Sequence, residues 1–124
     1  MLDAANQWLS RRIAANRARK QGRIIVDATG LHIVQEESSR TVPWQTIVEV
    51  TGIRKSAFIG HNIGLIIRAA NGATLTVMEY DESWAALSQA ISANLPGSLP
   101  YSEWSLKTAF TEPKGVVPIY RRRP

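Results

Sequence analysis

The dipeptide Asn71-Gly72 lies between two β-rich runs, residues 63–69 and 73–79, and constrains the fold more than any other feature. A tight two-residue turn needs positive backbone φ, which glycine adopts freely and asparagine tolerates better than most side chains. The pattern therefore predicts a β-hairpin about Ala70-Asn71-Gly72.

The chain before this hairpin also reads as short strands. Ile24, Ile25 and Val26, a Thr29-Gly30 turn, and Leu31, Ile33 and Val34 predict a first hairpin. Thr41 and Val42 suggest a further short strand, which Pro43 bends or confines to an edge because proline cannot donate to a ladder. Ile47, Val48 and Val50 begin a strand that extends to Lys55, followed by a looser segment containing Ser56, Phe58, Gly60 and Asn62.

After the second hairpin the period changes. Trp84, Leu87, Ile91 and Leu95 fall on one helical stripe, so a helix over 82–95 is expected to pack on the sheet, capped by Asp81 or Ser83 and ended by Pro96-Gly97. Beyond it, Trp104, Leu106, Phe110, Val116, Val117, Ile119 and Tyr120 are spaced among Pro113, Gly115 and Pro118. They predict a short helix and a last extended strand, with the large apolar residues packed on the domain.

Residues 2–20 contain no Pro or Gly, and Leu2, Ala5, Leu9 and Ile13 recur at helical spacing. The expected organisation is a basic amphipathic helix over 1–22 and a β domain over 23–124. Six Lys or Arg against Asp3 give residues 1–23 the whole of the chain's net charge of +5. A basic arm of Arg11, Arg12, Arg17, Arg19 and Lys20 admits three readings: a solvated face, a nucleic-acid contact, or a helix lying on anionic lipid. Its rising charge density predicts that the domain folds without it.

With 124 residues, one core is expected. No apolar run reaches the roughly 18 residues of a membrane span, and no secretory leader is evident. A cytoplasmic protein is the resulting expectation, with membrane association left open through the basic arm. Cysteine is absent, which excludes disulfides, thiolate metal sites and a cysteine nucleophile.

Other chemistry is sparse. His32 on a predicted strand and His61 in a predicted loop have no second histidine at metal-ligand spacing, and His32 is expected on the outer face of its strand, simply solvated. Glu79, Asp81 and Glu82 fit a solvated helix start better than an acid–base pair. Trp44 and Trp84 read as core residues, whereas Trp8 adjoins the arginine-rich segment. No phosphate loop, dinucleotide fingerprint or nucleophile elbow occurs. A non-enzymatic protein without metal or cofactor is expected.

The residues Gly30-Leu31, Val42-Pro43-Trp44-Gln45-Thr46-Ile47, Asn71-Gly72 and the helix from Glu82 to Asn94 together resemble the bacterial pleckstrin-homology-like domains. This resemblance, over residues 23–95, implies an α+β fold: a twisted antiparallel sheet or partly open barrel closed by a helix, here with an extra N-terminal helix. Trp104, Phe110 and Ile119-Tyr120-Arg121 look like the ends of small bacterial immunity proteins that neutralise an effector, which implies a protein partner. The segment Arg54–Asn62 is the expected partner-binding site. Arg54, Lys55, Phe58, Ile59 and His61 combine apolar, aromatic and cationic groups, the composition of an interface anchor.

Overall fold

The computed structural model describes residues 22–56, 60–112 and 115–122. The basic N-terminal segment and the expected anchor pair Phe58 and Ile59 lie outside the described residues. Three short strands come first: β1 (Arg23–Val26), β2 (Gly30–Val34) and β3 (Ser39–Pro43). They pair antiparallel in the order β1-β2-β3. The Asp27 carboxylate accepts from the Thr29 and Gly30 N–H groups at 2.8 and 3.1 Å, which folds the β1–β2 turn.

Pro43 closes β3 and leads into a 3₁₀ turn, Trp44–Thr46, as a residue without an N–H and with fixed φ should. Trp44 is buried, and its indole N–H donates to the Asp27 carbonyl at 2.9 Å. The chain then forms β4 (Ile47–Ser56), β5 (His61–Ala69) and β6 (Thr74–Met78). The β5–β6 hairpin turns at Asn71-Gly72, where Gly72 has φ 88° and the Asn71 side chain accepts from the Ala73 N–H at 2.9 Å.

Two helices follow, α1 (Trp84–Asn94) and α2 (Tyr101–Ala109), and then β7 (Val116–Arg121). Strand β7 pairs antiparallel with β4, giving a second sheet in the order β6-β5-β4-β7. The class is α+β with two antiparallel sheets, and neither sheet closes on itself. The expected helix over 82–95 is α1, and the expected short helix and last strand beyond it are α2 and β7, the latter joining the second sheet.

Alternation along the strands places Leu31, Val50, Leu65, Ile67 and Val77 in one core with Leu87, Ile91 and Leu95 of α1 and Trp104 of α2. Each such burial stabilises by roughly 1.5–3 kcal/mol. Trp104 is fully buried and meets Trp84 and Tyr101 edge-on at centroid distances of 5.8 and 5.0 Å. Helix α2 reaches the sheet over Gly52, where a Cβ would collide with the Thr108 hydroxyl. Thr108 is itself buried and donates to the Trp104 carbonyl at 2.7 Å, so its hydroxyl adds no unpaired polar group.

Two local expectations differ from the structure. Ser83 occupies the N-cap of α1 without a side-chain cap bond; the Asp81 carboxylate instead accepts from the Ser83 N–H and hydroxyl at 2.9 and 2.7 Å. His32, expected to be simply solvated, bridges Asp27 Oδ2 at 2.8 Å and Thr41 Oγ1 at 3.0 Å. Among the described residues, no helix is long and apolar enough to cross a membrane.

Candidate partner-binding site

The β4–β5 register brings part of the expected site together. Lys55 stands opposite Asn62 and Ser56 opposite His61 at the tip of the hairpin, while Arg54 pairs with Ile63 one position further in. The guanidinium of Arg54 donates to the His61 Nε2 at 3.2 Å. Arginine offers only donors, so that His61 nitrogen accepts and carries no proton in this contact.

Arg54 does more than flank the hairpin. Its Nη1 donates to the Thr111 carbonyl at 2.7 Å and, at the long limit of 3.5 Å, to the Ala109 carbonyl. The last carbonyls of a helix lack intrahelical partners and carry the negative end of its dipole. The guanidinium touches that end only through the long contact to Ala109, and its short bond holds Thr111, two residues beyond the helix. Arg54 is thus a strut between β4 and the end of α2 as well as a surface cation.

Between the two carbonyls that Arg54 holds lies Phe110. Its N–H donates back to Leu106 at the helix end, which fixes its backbone, yet the residue is 82% exposed. Leu106, one turn earlier, is also exposed, as is Val116, whose strand position pairs with Ile53 beside Arg54. Trp104, Val117 and Ile119 pack inward as the sequence suggested for the whole tail, but Leu106, Phe110 and Val116 do not.

The result is one end of the four-stranded sheet where the exposed Phe110 stands beside Arg54, with Lys55 and His61 at the tip of the adjoining hairpin and Val116 on the opposite face of the sheet. Lys55 has no ion-pair partner among the described residues. Phe110 was missed as a site residue because its spacing from Leu106 reads equally well as a packed stripe. The missing signal was the Thr-Glu-Pro sequence after it, which ends the helix before a further turn could cover the ring.

Away from this end the titratable groups are paired or scattered. Glu49 lies 3.4 Å from Arg68 and 3.9 Å from Arg121 on the sheet surface. Among the described residues, no group of three His, Asp or Glu is arranged to hold a metal. The cleft bordered by Leu31, Val42 and Leu75 has room for about 10 Å3, enough for one water and no metabolite. No protein-family model, curated protein or solved structure matches the chain.

Proposed function

We propose that this chain is a non-enzymatic protein-binding module of pleckstrin-homology-like type, and that it engages its partner through the end of the sheet where the β4–β5 hairpin meets α2. The specific form of the proposal is an immunity protein that occludes a bacterial effector. The observation that carries the binding surface is Phe110, a large aromatic held in water by a backbone that Arg54 ties to the sheet. A single exposed apolar residue needs no function. A pre-ordered aromatic beside Leu106 and a cationic rim, however, offers contact area at low ordering cost, as interface anchors do. The complementary partner surface has an apolar pocket and an acidic border.

Comparative capture tests this reading. Immobilised wild-type chain and its Phe110→Ser variant are exposed to lysate of the source organism, and proteins retained only by the wild type are then titrated directly. A partner that binds the wild type, loses affinity for the variant and tolerates raised salt supports the proposal. An interaction that ignores Phe110, collapses with salt and disappears with residues 1–22 would replace it with phosphate binding by the basic arm, whether to lipid or nucleic acid.

A further inference from the structure

A sheet edge exposes unpaired N–H and C=O groups, and monomeric proteins usually protect such edges with proline, lysine, a bulge or a covering element. Three of the four sheet edges here are protected. β1 is contacted by α1. β3 carries Arg40 and ends in Pro43. β7 contains Pro118 and an irregular register against β4, and its Ile119 carbonyl accepts from the Leu99 N–H at 3.0 Å.

The edge at β6 has none of these devices. Its sequence, Thr74-Leu75-Thr76-Val77-Met78, has no proline, glycine or charge, and its register with β5 is unbroken. The Ala69 N–H donates to Ala73, and the Glu79 N–H to Ile63, which sets the phase of the β5–β6 ladder. In an antiparallel ladder the direction of the backbone groups alternates. Leu75 and Val77 therefore bond to β5, while Thr74, Thr76 and the Met78 N–H point outward. Among the described residues, nothing pairs with them.

We infer that β6 is a self-association edge, pairing antiparallel with β6 of a second copy about a two-fold axis at Thr76. That register places Thr76 opposite Thr76 of the second copy and Thr74 opposite Met78 of the second copy, all with outward-pointing groups. It also places Ala73 opposite Glu79 of the second copy. Residues 73, 75, 77 and 79 share the core-side face of the strand, and on that face Ala73, Leu75 and Arg40 border the same cleft. Arg40 is exposed and has no ion pair among the described residues. Glu79 accepts from its own Ile63 N–H through Oε1 at 3.0 Å, so the remaining oxygen of its carboxylate, in the second copy, supplies the charge Arg40 lacks, twice by symmetry.

Charge complementarity and strand register thus select a second copy over an unrelated strand. The pairing is isologous and closed, so it yields a dimer and no fibre. It joins two four-stranded sheets through β6, at the edge opposite β7, and does not depend on the Phe110 site. Five-residue strands make a small contact, so association should be weak, with a dissociation constant on the order of 10–100 μM.

Sedimentation velocity of the full chain across concentration tests this. The wild type should show a reversible dimer. Thr76→Pro removes the outward donor without touching the β5 ladder, and Thr76→Lys sets two like charges opposite each other. Both should sediment as monomers, and Thr76→Lys serves if the proline variant fails to fold. Arg40→Glu and Glu79→Arg should each weaken the dimer about tenfold, and the double variant should recover most of that loss. A wild type that remains monomeric at about 500 μM, well above the expected constant, would overturn the inference. So would a dimer that survives Thr76→Lys, or a charge-swapped pair that does not recover.

Discussion

Arg54 on β4 donates a 2.7 Å hydrogen bond to the Thr111 carbonyl, joining residues 57 positions apart and anchoring the end of α2 to the sheet. That bond gives the exposed Phe110 a fixed place. It also changes what a substitution at Arg54 measures, since the side chain serves the fold and the candidate surface together.

Arg54→Ala should therefore lower stability. Hydrogen bonds from charged donors contribute roughly 1.5–3 kcal/mol, and partial exposure reduces this to about 1–2 kcal/mol here. Urea denaturation measures the loss, and amide exchange locates it: residues at the end of α2 should lose protection ahead of the core strands. A variant as stable as the wild type would show that the strut carries no load.

The contact of Gly52 with Thr108 makes a second prediction. Gly52→Ala drives a Cβ into a buried hydroxyl and should cost about 1–3 kcal/mol, the range for overpacking. Thr108→Ala removes the obstruction, so in the double variant the two costs should not add; a coupling of about 1 kcal/mol or more is expected in a thermodynamic cycle. Strict additivity would mean that α2 shifts freely over β4.

Much of the local structure was legible in the sequence. Asn71-Gly72 specified its hairpin because the turn chemistry lies within the turn, and Leu87, Ile91 and Leu95 specified the buried face of α1 by spacing alone. What could not be read was pairing across long stretches of chain. Nothing local to Gly52 reports that Thr108 will rest on it, and nothing local to Arg54 reports that its guanidinium will find Thr111. The tail was the hardest case: a count of apolar residues cannot separate Trp104, sealed in the core, from Phe110 two turns later, because the end of the helix and the course of β7 decide which ring is covered. The candidate site was half legible for the same reason. The hairpin tip with Arg54, Lys55 and His61 could be named, but its aromatic neighbour on α2 could not.

Asp27 links the first sheet to pH. The hydrogen bond from His32 lowers its carboxyl pKa below the ordinary 3.8, helped by the Gly30 and Thr29 N–H groups and opposed by desolvation. A carboxyl with a lowered folded-state pKa stabilises the fold above its ordinary value, and that contribution is lost as pH falls through the folded value. Acidification below about pH 4 should therefore loosen the β1–β2 turn, with a change in the emission of Trp44, whose indole donates to the Asp27 carbonyl. Asp27→Asn should be less stable at neutral pH and show a shallower acid limb. An acid limb of unchanged slope would remove Asp27 from this role.

Phe110, held by Arg54, is the proposed anchor for a protein partner, and calorimetric titration of the captured partner against wild type and Phe110→Ser measures its contribution. An anchor residue should cost about 2 kcal/mol or more of binding, roughly a thirtyfold loss of affinity. Because the ring is 82% exposed, folding stability should change by less than about 0.5 kcal/mol. Equal affinity for the two chains would rule out Phe110 as the anchor, as would an affinity loss explained by unfolding of the variant.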